Sequence, residues 1–181
     1  MLDLTFWEEA AKFHGHKCPG LAIGFKAVEG AIAELGLDEG AFPAIEEEIV
    51  CITENDACCV DAVQCLLGCT YGKSNLVPRL RGKMAFSFFA RDSGTSARLI
   101  LKKGLGDGLS RDEYMDYLIT TPYCELFDVK QPTVQLPEPA RIFPSHECAI
   151  CGEMTAEYGL RVQDGKFVCL DCYDAYGREG F

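Results

Sequence analysis

The periodicity of apolar positions divides most of the chain into recognisable elements. After Pro19, the run GLAIGFKAVEGAIAELGL places Leu21, Phe25, Val28, Ile32 and Leu35 at helical intervals, and Gly36 makes a natural stop. This predicts a helix of about 17 residues. IEEEIVCITEN has the β-branched density of a strand, and DACCVDAVQCLLGCTYG reads as a second helix ending near Gly72. GKMAFSFFAR and SARLILKKG flank Asp92-Ser93-Gly94-Thr95 and read as two strands paired around a tight turn. Ser110 with Glu113 forms a capping box for a short helix that must end before Pro122. ELFDVKQPTVQ reads as a further strand, with Pro132 placing its end at an edge.

Three prolines, Pro137, Pro139 and Pro144, then mark a semi-rigid link. The expected organisation is a body over residues 1–135, a linker over 136–144 and a small module over 145–181. Within that module Cys148, Cys151, Cys169 and Cys172 form two C-x2-C pairs separated by seventeen residues. Each pair aims two sulfurs at one point, and two pairs together supply the four soft ligands of a structural zinc site. YGLRV, a turn at Asp164-Gly165 and KFVC read as a hairpin between the pairs, and LDCYDAYGRE can begin a short helix. A knuckle, a hairpin and a helix carrying two ligands is the layout of a treble-clef zinc finger, with a zinc ribbon as the alternative.

Composition narrows the function. The net charge is −11, and between Ser145 and Phe181 seven acidic residues face Arg161, Lys166 and Arg178. Because nucleic-acid affinity rests on cations displacing counterions, the expected partners exclude nucleic acid. No run approaches the about 20 apolar residues that span a bilayer, and the acidic start MLDLTFWEEA lacks a secretory pattern. A cytoplasmic protein, without membrane partners, is expected. Eleven cysteines in a reducing compartment bind metal or do chemistry rather than form disulfides.

Two of the three histidines, His14 and His16, precede Cys18 by four and two residues. In an extended segment residues spaced by two project to one side, so the three could converge on a metal. Pro19 suits a first helical position, which sets the Cys18 thiol at a helix N-terminus, where the thiolate is favoured. On the second helix Cys58, Asp61, Cys65 and Cys69 follow steps of three, four and four along one stripe. Cys58, near the helix start, has the better claim to thiolate character; Cys65 and Cys69 read as core thiols, and Cys59 faces elsewhere.

Phe13-His14-Gly15-His16-Lys17-Cys18-Pro19-Gly20-Leu21, Asp56-Ala57-Cys58 with Asp61-Ala62-Val63-Gln64, Gly68-Cys69-Thr70-Tyr71-Gly72-Lys73-Ser74-Asn75-Leu76 and Gly82-Lys83-Met84-Ala85-Phe86 resemble the FmdE family of formylmethanofuran dehydrogenase proteins. The resemblance implies an α+β, thioredoxin-like core with a mixed sheet flanked by helices, a homodimer, and frequently a C-terminal treble-clef zinc finger. It implies an active site at His14, His16, Cys18, Cys58 and Asp61, with Cys69 at a further motif position. It also implies association with a molybdenum or tungsten oxidoreductase complex of one-carbon, methane-related metabolism. His16, Cys18 and Cys58 are the expected donors of a second metal, zinc or another transition metal, beside the structural zinc of the tail. The chain carries no ferredoxin-type cysteine run, so an accessory or subunit role is expected, not the redox catalyst itself. Two other readings stay open: an independent zinc enzyme using a metal-bound water, with Asp61 or Glu54 as base, and a thiol redox protein cycling Cys18 with Cys58.

Overall fold

A computed structural model describes residues 2–38, 40–175 and 177, and the chain divides into two compact units at Pro139 and Ala140, inside the expected linker. In the first unit Asp3 caps α1 (Leu4–His14) through the Thr5 N–H at 2.7 Å, and Gly15, at φ +93°, ends it. α1 is a helix that the apolar periodicity did not identify. α2 (Pro19–Leu35) matches the expected helix and stops at Gly36. Twelve of its residues are buried, because it lies between the sheet and the other helices. β1 (Ile49–Thr53) follows, then α3 (Cys59–Leu67). The second helix ends at Gly68 rather than near Gly72. Gly68 adopts φ +68°, and its Cα packs so closely on the Ala44 backbone that a side chain there would collide with it.

β2 (Leu76–Pro78), β3 (Ala85–Ala90), β4 (Ser96–Leu101), α4 (Arg111–Thr120), α5 (Tyr123–Leu126) and β5 (Phe127–Lys130) complete the body. Both bonds of the capping box at Ser110 and Glu113 are present. The sheet order is β2-β1-β3-β4-β5, with β1 and β2 parallel and the other neighbours antiparallel. This is a mixed sheet in an α+β body. One face carries the helices through Phe86, Phe88 and Leu99. On the other, Val50, Ile52 and Phe89 pack beside Val77 of β2 and against Val134 and Leu136, and Arg91 donates to the Pro137 carbonyl. Residues 134–137 thus serve as packing for the body, which explains why β3 is buried at every position.

Lys26, Glu29 and Glu54 are the buried charged side chains among the described residues. Lys26 is fully buried and donates to Glu29 at 2.7 Å, and the same carboxylate accepts from the Leu2 and Tyr123 backbone N–H groups. Glu29 therefore ties the amino terminus, α2 and the start of α5 to one point.

The second unit contains β6 (Ser145–Glu147) paired with β7 (Met154–Ala156), a 3-10 turn (Glu157–Gly159), and the expected hairpin of β8 (Leu160–Gln163) and β9 (Lys166–Cys169). Asp164 and Gly165 both take positive φ in its turn. Beyond β9, residues 170–175 form a turn and an irregular segment without helix; positions 176 and 178–179 of the expected helix lie outside the described residues.

Candidate metal centres and their relatives

Three helix ends build the site in the body. His14 is the last residue of α1, Cys18 is the N-cap of α2, and Cys58 is the N-cap of α3. Cys18 takes an extended backbone, φ −154° and ψ 159°, which lets its sulfur accept the Leu21 N–H at 3.4 Å. The N-terminus of α2 thus presents its free N–H groups and partial positive charge to the sulfur. The imidazole nitrogen of His14 and the sulfurs of Cys18 and Cys58 all lie within 4.8 Å of one another. His14 Nε2 is 3.8 Å from Cys18 Sγ. Metal–sulfur and metal–nitrogen bonds of about 2.3 and 2.0 Å in a tetrahedron set neighbouring donors roughly 3.5–3.8 Å apart, so this spacing fits zinc with little rearrangement.

The orientation of His14 is fixed from behind. Its Nδ1 lies 2.6 Å from Asp61 Oδ2, while Gln64 donates to Asp61 Oδ1 at 3.2 Å. An ionised carboxylate only accepts, so the ring proton sits on Nδ1 and the Nε2 lone pair faces Cys18. Gly20 provides the space for Cys58: a Cβ there would stand 3.1 Å from Cys58 Cβ and 3.7 Å from its sulfur. Burial, and then the adjacent Cys18, push the Cys58 thiol above its ordinary value. A cation between the two sulfurs would reverse that shift, since soft metals bind the thiolate.

The donor set differs from the sequence reading in its histidine. His16 is exposed, with its ring centroid 4.5 Å from that of His14 at a 38° tilt, outside the converging trio. The cause is α1: residues 14–18 are not one extended segment, because helix carries the chain to His14 and turns it at Gly15. Asp61 joins as the partner of His14 rather than as a free base. Glu54 is equally committed, with Arg98 donating to both its oxygens at 2.6 and 3.0 Å and holding its carboxyl below the ordinary range. Cys65 stands apart, half-buried, with its thiol raised by burial. Cys69 follows α3 rather than lying on its stripe; burial pushes it up to about 12, and it donates to the Ile49 carbonyl. Cys59, also pushed up to about 12 by burial, donates to Asn55 Oδ1 at 3.0 Å.

The tail holds the other cluster. Cys148, Cys151, Cys169 and Cys172 place their sulfurs within 4.8 Å of one another, with Cys151 and Cys169 at 3.9 Å. The Cys169 N–H reaches Cys148 Sγ at 3.4 Å, and with the N–H groups of Cys151 and Ile150 it holds Cys148 down to about 6. Proximity to the Cys169 sulfur, followed by burial, pushes Cys172 up to about 12. Apart from the cysteines, the buried apolar residues of this cluster are Leu160 and Val168, too few to hold a fold without a staple.

An α+β body with a His–Cys–Cys donor set, followed by a four-cysteine unit, defines a protein built around two clusters suited to transition metals. The family model described as "FmdE, Molybdenum formylmethanofuran dehydrogenase operon" matches residues 13–125, and the chain belongs to that family. The crystal structure of a "tungsten formylmethanofuran dehydrogenase subunit e (fmde)-like protein" from Syntrophus aciditrophicus matches with a TM-score of 0.67 at 24% identity. That match covers 93% of this chain and 90% of the other, and shows the shared fold. A protein of Archaeoglobus fulgidus named "Probable S-adenosyl-L-methionine-binding protein" is 29% identical over 195 residues. The alignment takes in 92% of this chain and 52% of that protein, so the chain spans about half the length of this relative. No helix among the described residues is long and apolar enough to cross a membrane.

Proposed function

We propose that this chain is a metal-binding, FmdE-type accessory protein of a molybdenum- or tungsten-dependent formylmethanofuran dehydrogenase system, acting as a homodimer. Family membership supports the association. One observation carries the chemistry: His14, Cys18 and Cys58 present their donor atoms within 4.8 Å while Asp61 holds the far side of the imidazole. Two thiolates and an imidazole suit zinc best, with iron or copper(I) behind. The four tail cysteines form a structural zinc site, a reading supported by the convergence of the first cysteine pair, the β8–β9 hairpin and the second pair; a treble-clef layout further requires a helix after the second pair, which does not begin within residues 170–175.

A second reading follows from the size of the donor set. Three protein ligands leave a coordination position open, as in catalytic rather than structural zinc sites, and zinc there would supply Lewis acidity to a bound substrate. The chain would then be a metal-dependent enzyme in its own right, with its base supplied by a group other than Asp61 or Glu54.

Elemental analysis of protein purified without air tests the common core of both readings. Two metals per chain are expected, and the C18S/C58S variant should retain one. A parent protein that holds a single metal even after anaerobic zinc loading overturns the body site. Thiol counts that fall by two on mild oxidation, in the parent but not in this variant, would replace it with redox cycling of Cys18 and Cys58.

A further inference from the structure

The sheet topology brings a second set of residues against the turn that leads into Cys58. Because β1 and β2 are parallel, their carboxyl ends lie at the same sheet edge. The chain leaving β1 runs through residues 54–58 to Cys58; the chain leaving β2 runs through Arg79-Leu80-Arg81-Gly82-Lys83. Hydrogen bonds lace the two together: Arg79 N–H to the Thr53 carbonyl at 2.8 Å, and Arg81 and Lys83 N–H to the Glu54 carbonyl at 2.8 and 3.3 Å. Asn55, itself buried, closes the arrangement. Its Nδ2 donates to the Lys83 carbonyl, and its Oδ1 accepts from Ala57 N–H and Cys59 Sγ on either side of Cys58.

The charges of this edge run against those of the molecule. In a chain of net charge −11, residues 79–83 hold three cations and no acid. All three are exposed, and none of the described ion pairs engages them. Among the described residues the Arg81 guanidinium donates to the carbonyl of its neighbour Leu80, and Arg79 and Lys83 contribute to depressing the Glu54 carboxyl, which Arg98 already neutralises. Asp61 is held by His14, leaving Asp56 as the exposed acid of the 54–58 turn. The N-termini of α2 and α3, at Cys18 and Cys58, add partial positive charge. Crevices at the carboxyl ends of parallel strands are where open sheets bind ligands.

We infer that the His14–Cys18–Cys58 centre takes a small substrate bearing an oxyanion, a carboxylate or a phosphate, and that Arg79, Arg81 and Lys83 hold that anion beside the metal. This rests on the metal-site reading above and adds the class of ligand. The two sides divide the labour. The thiolate–imidazole centre offers an open position to one end of the ligand, and the cationic loop fixes the charged end by charge-assisted hydrogen bonds.

The test uses the full chain loaded anaerobically with cobalt(II), freed of excess metal, and titrated with inorganic phosphate or with succinate at constant ionic strength set by chloride. A saturable change in the cobalt visible bands is expected with at least one anion, and the anion that produces it distinguishes phosphate from carboxylate. The change should vanish in C18S/C58S and require about tenfold more anion, or beyond, in R79A/R81A/K83A, since each charged hydrogen bond lost contributes on that scale. The triple variant should keep the parent's cobalt content and its Trp7 fluorescence. If C18S/C58S takes up as much cobalt as the parent, the metal centre itself is refuted. If cobalt loads normally but neither anion acts, or the triple variant responds like the parent, the anion inference falls and the metal centre stands.

Discussion

Replacing Asp61 with alanine should loosen the body metal without unfolding the protein. In the parent, the 2.6 Å bond between Asp61 Oδ2 and His14 Nδ1 fixes the tautomer and points Nε2 at the sulfurs. The His14 side chain is 10% exposed and that of Asp61 35%, so the pair sits at the margin of the core and its loss opens no large cavity. Partners of this kind typically account for about 10–100-fold in metal affinity, or roughly 1.4–2.7 kcal/mol. D61N should fall between parent and D61A, because it keeps an acceptor for Nδ1 and loses the charge. Competition with a chromophoric chelator reads the affinity directly, with the tail site as an internal reference that should not move. A body site equally tight in parent and D61A, with the same stoichiometry, would refute the claim that Asp61 organises His14.

The remaining expectations concern packing, acid and metal removal. G20A should weaken the body site less than D61A does, because the added methyl, 3.1 Å from Cys58 Cβ, displaces that thiol by tenths of an ångström; the same chelator competition measures it. G24A should destabilise the body, since a Cβ at Gly24 runs into the Cys59 backbone where α2 crosses α3. Overpacking of about 1–3 kcal/mol in a body of 139 residues lowers Tm by up to about 10 °C, followed through Trp7, and an unchanged Tm would show that the helices separate freely. Arg98 lowers the Glu54 pKa on folding, so its contribution to stability is present above the ordinary value of 4.5 and is lost as pH falls through the folded-state value. Urea unfolding at pH 3 and 6 should show a smaller acid loss in R98M than in the parent. A strong chelator should abolish the far-ultraviolet signal of the β8–β9 hairpin while the body keeps its Trp7 emission, because the tail has little core beyond its cysteines.

What could be read in advance was whatever depends on neighbours in sequence. α2 was legible because its apolar spacing, Pro19 and Gly36 all point to one helix, and the β3–β4 and β8–β9 hairpins because turn residues sit between apolar runs. α1 was not, since LTFWEEAAKFH mixes its apolar and charged positions; its signals were the Asp3 cap and Gly15. β2, β6 and β7 are three residues each, too short for alternation to show, and exist because a partner strand pairs with them.

The same division runs through the site. Cys18 at a helix start followed from Cys-Pro, a local rule, and Cys58 from its place before an apolar run. The choice between His14 and His16 was decided by where α1 stops, and the role of Asp61 by a contact across 47 positions of sequence. Parallel pairing of β1 with β2 is equally non-local, and it alone sets the cationic residues 79–83 against the turn that carries Cys58. Donor identity is thus written in short motifs, whereas what surrounds the metal, and so what it can bind, is written in strand order. A single chemical centre can keep its ligands while its substrate class changes with the loop that topology places beside it.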